Sequence, residues 1–392
     1  MAAGPTQVYL DHNATAPVRP EALEAICAAL QAGGNPSSVH AVGRAARSRV
    51  EDARASVAAL VGASPEALVF TSGGTEANAL AIHSAAASGE VRRLIIGATE
   101  HEAVVNTAHA TGLPVEIWPV DRQGVADLDW LGARLKAWTT EDGQPFVALM
   151  LANNETGVIQ PVAVAAALVH EAGGWLHVDA VQAAGKIAMD FTALGADTLA
   201  LSAHKIGGPQ GVGGLIYGER VRISPRLHGG GQERGFRAGT ENVAGLAGFG
   251  AAADAARRDL ASASQQAAWR DAAAQRLAEA GAVIAGEGVE RLPGTLCVAV
   301  EGFASSLQVM SLDLEGVRVS AGAACSSGKV KPSGVLAAMG YGDLAAGALR
   351  ASGGWNTTEQ DWTRFADVWL AVHARRAKPL GGASGERVRE LA

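Results

Sequence analysis

The sequence is poor in cysteine, with only Cys27, Cys297 and Cys325 among 392 residues. Three cysteines do not form a disulfide framework, and none belongs to a CxxC pair, so neither a disulfide-rich secreted scaffold nor a cysteine zinc site is expected. Cys27 lies in a helical pattern at 22–30 and Cys297 in an apolar run at 295–300. Both are interpreted as small core residues, whereas the neighbours of Cys325 are small and polar.

Long apolar runs and an excess of positive charge are also lacking. No uncharged apolar stretch is long enough to span a bilayer, and residues 1–9 carry no cationic region followed by an apolar segment. Neither a membrane protein nor a secretory signal is therefore expected. The net charge of −7 argues against a general nucleic-acid-binding protein, which would need a basic face. We expect a cytoplasmic protein that binds neither membrane nor nucleic acid.

Length and patterning predict two domains. Between residues 65 and 220, short apolar runs alternate with helical stretches, which predicts a mainly parallel sheet covered on both faces. The predicted strands are 67–70, 93–97, 146–151, 175–178, 198–201 and 213–217, and the predicted helices are 75–87, 101–111 and 162–172. In such sheets, ligands bind beyond the carboxyl ends of the strands.

The remainder of the chain predicts a smaller α+β region. Residues 250–280 are rich in alanine, with scattered charged residues, and we interpret them as one long helix. Strand-like runs follow at 295–300, 317–320 and 349–352.

Two short motifs follow predicted strands and suit an anionic, nitrogen-containing ligand. The run 71–76, Thr-Ser-Gly-Gly-Thr-Glu, opens a helix, where free N–H groups favour phosphate; an ordinary capped turn is the alternative. In the run 177–182, Asp179 is placed to pair with a protonated pyridine nitrogen. The alternative for Asp179 is a helix cap.

A third motif, at 202–209, places Lys205 at a strand end before Gly-Gly-Pro. A lysine that forms a Schiff base needs such a position, and Ser202 and His204 are candidate phosphate donors. The alternative is a surface lysine. The three motifs in this order are far more specific than any one of them.

Two glycine-rich segments complete the set of motifs. Residues 227–242 combine glycine with Arg, His and Thr, which suits a phosphate or carboxylate cradle, or alternatively a hinge. In 319–333, Cys325 has small neighbours and is followed by Lys329 and Lys331, which favours an exposed, partly ionised thiol over a buried one.

Together these segments resemble the cysteine desulfurases of the NifS/IscS type, which are class-V-aminotransferase-like enzymes of pyridoxal 5′-phosphate (PLP) fold type I. The resemblance extends from Tyr9 to Ser352 and includes further segments at 9–15, 35–38, 100–101, 153–157 and 229–235. It implies an α/β fold whose large domain has a mainly parallel seven-stranded sheet, plus a smaller α+β domain. The implied units are an N-terminal arm at 1–16 that packs with the small domain, a PLP-binding domain at 17–257, and a small domain at 258–392 that carries Cys325.

The resemblance also assigns roles toward the cofactor PLP. It implies that Lys205 binds PLP covalently, that Asp179 pairs with the pyridine nitrogen, and that Gln182 contacts the phenolic oxygen. His101 would stack on the ring and assist proton transfer. The residues that would hold the phosphate are Gly74, Thr75, Ser202 and His204, with Thr240 from the other subunit of a homodimer.

Toward the substrate, the resemblance implies that Asn154, which also binds the cofactor, and Arg350 hold the carboxylate of L-cysteine. Cys325 would be the nucleophile that accepts sulfur as a persulfide while L-alanine leaves. The sulfur would pass to an acceptor protein, such as an iron–sulfur scaffold or another sulfur carrier. No resident metal is expected, apart from a transient contact of Cys325 with an iron–sulfur cluster.

Three alternatives stay open at this point. A selenocysteine lyase, or another PLP enzyme that catalyses β-elimination, needs no thiol nucleophile. An aminotransferase shares Lys205 and Asp179 but has no use for Cys325. A non-catalytic assembly subunit is disfavoured because Lys205, His101 and Cys325 are all present. The segment Asn153-Asn-Glu-Thr-Gly157 and the residues after Cys325 depart from the family's usual pattern, which affects the choice of partner.

Overall fold

A computed structural model describes residues 7–322 and 332–377. The strands within these residues are β1 (Val8–Tyr9), β2 (Leu68–Thr71), β3 (Leu94–Gly97), β4 (Val115–Trp118), β5 (Phe146–Met150), β6 (Trp175–Asp179), β7 (Thr198–Ser202), β8 (Gly213–Tyr217), β9 (Val283–Ile284), β10 (Thr295–Ala299), β11 (Val317–Arg318), β12 (Ser320–Ala321) and β13 (Leu349–Ser352).

The helices are α1 (Pro20–Ala32), α2 (Ala41–Leu60), α3 (Gly74–Ala87), α4 (Glu102–Ala110), α5 (Leu128–Lys136), α6 (Val162–Glu171), α7 (Phe191–Leu194), α8 (Val243–Asp259), α9 (Ala263–Glu279), α10 (Ser305–Leu314), α11 (Gly334–Ala338) and α12 (Glu359–Ala377). None of the helices in the part of the chain that the structure describes is long and apolar enough to cross a membrane.

A seven-stranded sheet forms the centre of the larger part, in the order β2-β8-β7-β6-β5-β3-β4. Strand β8 runs antiparallel to β2 and β7, and the other neighbouring pairs are parallel. Every residue of β5, β6 and β7 is buried, as expected for parallel strands with helices on both faces. The mainly parallel α/β fold is therefore confirmed.

The predicted strands of this sheet agree with the structure to within one residue at each end. Strand β4, at the sheet edge, was not predicted. Its residues Val115, Glu116 and Ile117 are at least partly exposed, so no buried apolar run marks it. An edge strand needs only one neighbour and tolerates a charged residue such as Glu116.

The smaller part contains a four-stranded antiparallel sheet in the order β12-β13-β10-β9. The predicted strand at 317–320 is wrong as a single element, because β11 pairs in parallel with β1 whereas β12 pairs with β13. The two halves of this run thus belong to different sheets. Buried aromatic residues of α12, Trp362, Phe365 and Trp369, fill the core beneath the four strands.

The prediction of one long helix over 250–280 is also wrong. Helices α8 and α9 are separated by a single 3-10 turn, Leu260–Ser262. The Ser262 hydroxyl donates to the Asp259 carbonyl at 2.8 Å, a local bond that competes with helix continuation. Helix α8 packs against α1 and α2, and α9 packs against α12. The chain must therefore turn here, which alanine-rich composition does not reveal.

One of the two cysteines interpreted as core residues is on the surface. Cys297, in β10, is fully buried, and burial raises the pKa of its thiol. Cys27 is exposed, so the prediction for it is wrong. The buried residues of α1 are Ala22 and Ala29, and Cys27 lies roughly 140° from Ala22 around a helix of 3.6 residues per turn.

Candidate active site

A cavity of about 290 Å³ lies at the carboxyl ends of β6 and β7. These strand ends deliver Asp179 and Ser202 to its wall. The lining residues are Asn13, Ala14, Gly74, Thr75, Asn78, His101, Met150, Asn154, Asp179, Val181, Gln182, Ser202, His204 and Lys205. This is the edge of a parallel sheet at which ligands are expected.

The N-terminus of α3 forms the anion-binding end of the cavity. No side chain caps this helix, so its first N–H groups are available to a ligand, with the helix dipole favouring negative charge. A Cβ atom on Gly74 would lie 2.6 Å from Cγ2 of Val181, so glycine is required for this close approach. The hydroxyls of Thr75 and Ser202 belong to the same wall.

Lys205 ends the 3-10 turn that follows β7, and its Nζ donates to the carbonyl oxygens of Asn13 at 2.5 Å and Ala14 at 2.8 Å. The neighbouring Gly207 has φ +84°, and a Cβ there would lie 2.5 Å from Cγ of Arg19. The Gly-Gly sequence after Lys205 is thus a steric requirement of the turn.

His204 lies beside Lys205 with Nδ1 3.2 Å from the Thr15 hydroxyl. Burial, together with the positive charges of Lys205 and Lys186, lowers the pKa of His204 to about 4. The imidazole is therefore neutral at pH 7.

Two buried carboxyl groups lie in this region, Asp179 in the wall of the cavity and Glu100 outside the set of lining residues. Oδ2 of Asp179 accepts a 2.7 Å hydrogen bond from Asn78, and Oδ1 accepts one of 3.0 Å from the Val181 N–H. Glu100 is also buried, and burial together with the charge of Asp179 raises its pKa to about 8. At neutral pH, Glu100 is thus mainly protonated.

Gln182 belongs to a polar network around Asn13. Its Nε2 donates to the Asn13 carbonyl at 2.9 Å, and its Oε1 accepts from Lys186 at 2.7 Å. Lys186 also donates to Oδ1 of Asn13 at 2.7 Å. Burial and the positive charges of Lys205 and Arg350 lower the pKa of Lys186 well below its usual range.

His101 and Asn154 line the cavity from two other loops. Nδ1 of His101 accepts the Ala103 N–H at 3.0 Å, which caps α4 and fixes the ring orientation. The Asn154 carbonyl accepts from Asn13 at 3.1 Å and from Arg350 at 3.2 Å.

Arg350 is not one of the cavity-lining residues, although it contacts the backbone of Asn154. It is 1% exposed, and its Nη2 donates to Asp11 at 2.8 Å. Its Nε is buried and has no hydrogen-bond partner in the residues that the structure covers. A guanidinium held in this way retains capacity for a further acceptor.

Nine of the predicted site residues line this one cavity: Gly74, Thr75, His101, Asn154, Asp179, Gln182, Ser202, His204 and Lys205. Thr240 is exposed and lies outside the lining set. Cys325, Lys329 and Lys331 fall outside the described residues.

Two residues of the cavity wall, Asn78 and Asn13, were not predicted to have a role in the site. Asn78 follows Gly74 by four residues on α3, so helical spacing places both on one face. Asn13 belongs to the segment 9–15, which contributed to the resemblance without an assigned role.

The glycine-rich segment 227–242 uses its charged side chains within the chain. Glu233 pairs with Arg54 at 2.7 Å, and Arg237 pairs with Glu76 at 3.0 Å. Arg234 donates to the backbone of Leu68 at 2.5 Å.

The chain matches the class-V aminotransferase family over residues 8–365. It belongs to this family. A cysteine desulfurase of Cereibacter sphaeroides is 42% identical, with 96% of this chain and 98% of the relative covered. A cysteine desulfurase IscS of Dictyoglomus turgidum is 38% identical, covering 92% and 93%. The solved structure of a NifS-like protein from Rickettsia africae is 30% identical, with a TM-score of 0.86 and coverage of 94% and 100%.

Family membership makes the protein a PLP-dependent enzyme, and the cavity fits this cofactor. The uncapped N-terminus of α3 provides N–H donors of the kind that a phosphate needs. Asp179 provides a buried carboxylate of the kind that a protonated pyridine needs. Lys205 provides an amine in the same cavity. The residues present therefore suit both charged ends of the cofactor.

Proposed function

We propose that the protein is a cysteine desulfurase, which converts L-cysteine to L-alanine and transfers the sulfur as a persulfide on Cys325. The observation that carries this proposal is the cavity in which Lys205, Asp179 and His101 meet an uncapped helix N-terminus. Two relatives that match nearly the whole chain are named cysteine desulfurases, which supports the choice of substrate.

The cofactor, when bound, supplies an electron sink for negative charge that develops at the substrate α-carbon. Lys205 would hold the cofactor, and its amine, once released by the substrate, would take the α-proton. Asp179 would pair with a protonated pyridine nitrogen, and Gln182 would contact the phenolic oxygen. His101 would lie against the ring and assist proton transfer.

The residues that would hold the phosphate are Gly74, Thr75, Ser202 and His204. Asn154 and Arg350 orient the substrate carboxylate, and the buried Nε of Arg350 suits this role because it has no partner among the described residues. Asn154 also contacts the cofactor.

The sulfur-transfer step uses Cys325 as a thiolate. Its sulfur attacks the sulfur of the bound cysteine, an S–S bond forms, and the substrate C–S bond breaks. The electron pair of that bond remains with the carbon skeleton, and protons return to the β- and α-carbons to give alanine. The reaction is thus L-cysteine plus the Cys325 thiol to L-alanine plus the Cys325 persulfide, without an external oxidant or reductant.

We further propose a cytoplasmic homodimer with an arm at 1–16, a large domain at 17–257 and a small domain at 258–392. Thr240 is exposed in the single chain, which suits a contact with the phosphate in the other subunit. The persulfide sulfur then passes to an acceptor protein, such as an iron–sulfur scaffold or another sulfur carrier.

Two variants test the central roles. Cys325→Ala is expected to retain the absorbance of lysine-bound PLP but to form no sulfide or alanine from cysteine. Lys205→Ala is expected to lose both that absorbance and turnover. Full desulfurase activity of Cys325→Ala would remove the nucleophile assignment, and normal turnover by Lys205→Ala would remove the PLP assignment.

The product distinguishes the alternatives. Pyruvate with sulfide in place of alanine would indicate β-elimination, and 3-mercaptopyruvate, which keeps the substrate sulfur, would indicate transamination. Selenocysteine turnover that survives Cys325→Ala, with no cysteine turnover by the unsubstituted protein, would favour a selenocysteine lyase.

A further inference from the structure

A line of buried polar side chains leads away from the active-site carboxylate. Asn78 donates to Oδ2 of Asp179 at 2.7 Å, and Oδ1 of Asn78 is 2.8 Å from Nε2 of His177. Nδ1 of His177 is in turn 2.8 Å from the hydroxyl of Thr198. The four residues are between 0% and 5% exposed.

The hydrogen-bond directions along this line follow from the chemistry of each group. Because the Asn78 amide nitrogen donates to a carboxylate, its oxygen is free to accept, and Nε2–H of His177 must be the donor. Burial lowers the pKa of His177 to about 3, so the ring is neutral and Nδ1 accepts. The Thr198 hydroxyl is then the donor to Nδ1. Every donor in the line therefore points toward Asp179.

We propose that His177 and Thr198 are positioning residues that act through Asn78 to hold Asp179 as an oriented carboxylate anion, and thereby keep the pyridine nitrogen of PLP protonated. This inference rests on the proposed function. Asn78 and Asp179 line the cavity, whereas His177 and Thr198 do not. Their influence on the cofactor must therefore pass through the hydrogen-bond line.

The position of His177 supports more than a packing role. It lies on β6 between Leu176 and Val178, in a strand buried on both faces. An apolar side chain would fill such a position without a polar group to satisfy, whereas a buried imidazole needs partners at both nitrogens. The ring finds both partners and also stacks on Phe146, with 17° between the planes and 6.4 Å between centroids.

Glu100 provides a contrast within the same region. Its Oε1 accepts from the Met150 N–H, but its buried Oε2 has no hydrogen-bond partner in the described parts of the chain. Asp179, by comparison, has a donor on each carboxylate oxygen. Of these two buried acids, the one that lines the cavity is the one with both carboxylate oxygens hydrogen-bonded.

The test uses holoenzyme reconstituted with PLP that carries nitrogen-15 in the ring, because the resonance of that nitrogen reports its protonation directly. The variants are His177→Phe, Asn78→Ala and Thr198→Val, and the last of these removes only the terminal hydroxyl at nearly constant volume. Ser84→Ala is the matched control. Ser84 is a buried residue of α3 that donates to the Leu80 carbonyl at 2.6 Å and lies outside the cavity.

In the unsubstituted protein and in Ser84→Ala, the resonance is expected at the protonated position. His177→Phe and Asn78→Ala should shift it toward the unprotonated position and lower kcat by about tenfold or more, with a smaller shift in Thr198→Val. The KM for cysteine should change little, because the carboxylate contacts are intact.

A protonated resonance in folded His177→Phe and Asn78→Ala, with loss of rate no greater than in Ser84→Ala, would overturn the proposal. If neither variant folds, Thr198→Val decides, and an unchanged resonance there overturns it equally. Failure of the unsubstituted protein to bind PLP or to release alanine would instead contradict the proposed function.

Discussion

Replacement of Glu233 by alanine is expected to destabilise the fold strongly, because Glu233 balances a buried charge. Its carboxylate accepts two parallel hydrogen bonds from Arg54, at 2.7 and 2.8 Å. The two side chains are 3% and 7% exposed. The second oxygen of Glu233 also accepts the Phe70 N–H at 2.8 Å. This pair joins the glycine-rich segment at 227–242 to α2 and to the edge strand β2.

The expected magnitude follows from the burial of both partners. Removal of one partner from a buried ion pair typically costs about 3–5 kcal/mol, and the charged partner that Arg54 keeps is the more exposed Glu51, at 2.9 Å. At about 2 °C per kcal/mol, the melting temperature of Glu233→Ala should fall by roughly 6–10 °C. The melting temperature of the double variant Arg54→Met/Glu233→Leu should be higher than that of Glu233→Ala, because neither member of the buried ion pair remains. Recovery should be incomplete, since the Phe70 N–H loses its acceptor.

The assay is thermal unfolding of the holoenzyme, followed by circular dichroism and tryptophan fluorescence at one protein concentration. Glu315→Ala is the control, because it breaks an exposed pair with Arg375 at 2.8 Å, whose side chains are 38% and 64% exposed. That variant should change the melting temperature little, because solvent screens the exposed pair. A melting temperature for Glu233→Ala within 1–2 °C of the control would refute the reasoning about buried charge.

Three further predictions concern the site. The fold raises the pKa of Glu100, so the contribution of this residue to stability is fully present below its unfolded pKa of 4.5 and is lost as pH rises through about 8. The melting temperature of Glu100→Gln should therefore exceed that of the unsubstituted protein by a growing amount from pH 5 to 8. A constant difference between the two melting temperatures over this range would contradict the prediction. Ser333→Ala removes a 2.5 Å hydrogen bond to Glu155 and the side-chain cap of α11. The free energy of unfolding, measured by thermal unfolding, should fall by about 1–3 kcal/mol. An unchanged melting temperature would contradict this prediction. Arg350→Lys should raise the KM for cysteine by about ten- to a hundredfold in an alanine-release assay, because a single ammonium replaces a guanidinium that can donate two parallel hydrogen bonds. An unchanged KM would contradict the role of Arg350 in binding the substrate carboxylate.

Six strands of the central sheet could be predicted from the sequence because they are largely buried and therefore appear as predominantly apolar runs. Strand ends were visible for the same reason: Asp179 and Ser202 are the first polar residues after such runs. Since parallel strands end at one edge, the two residues were expected to meet, and both line the cavity.

Elements that depend on distant partners could not be predicted in this way. The break between α8 and α9 depends on which helices each one packs against, and the split between β11 and β12 depends on β1, some 300 residues earlier in the sequence. The exposure of Cys27 depends on which face of α1 meets α8. In each of these three examples, the local composition is compatible both with the predicted structure and with the observed one.

The line of hydrogen bonds that leads from Asp179 could not be predicted from the sequence for a related reason. His177 was visible in the motif at 177–182, but a histidine in an apolar strand carries no sign of its partners. Those partners lie 99 and 21 residues away in sequence, on α3 and β7. Only the register of β6 with β7, which places His177 opposite Thr198, brings the line together.

A cluster of cationic groups lies around Asn13 and gives this part of the site a positive charge. Lys186 and Lys205 both donate to Asn13, and Arg350 lies next to it through Asn154. Burial lowers the pKa values of Lys186 and His204, and repulsion by the neighbouring cationic groups lowers them further. A ligand with a phosphate and a carboxylate would relieve that repulsion. Part of its binding free energy would therefore come from its attraction to the cationic groups that the fold already holds close together. Binding of such anions should therefore raise the pKa values of Lys186 and His204 and draw protons from solution, an uptake that calorimetry in buffers of different ionisation enthalpy measures directly.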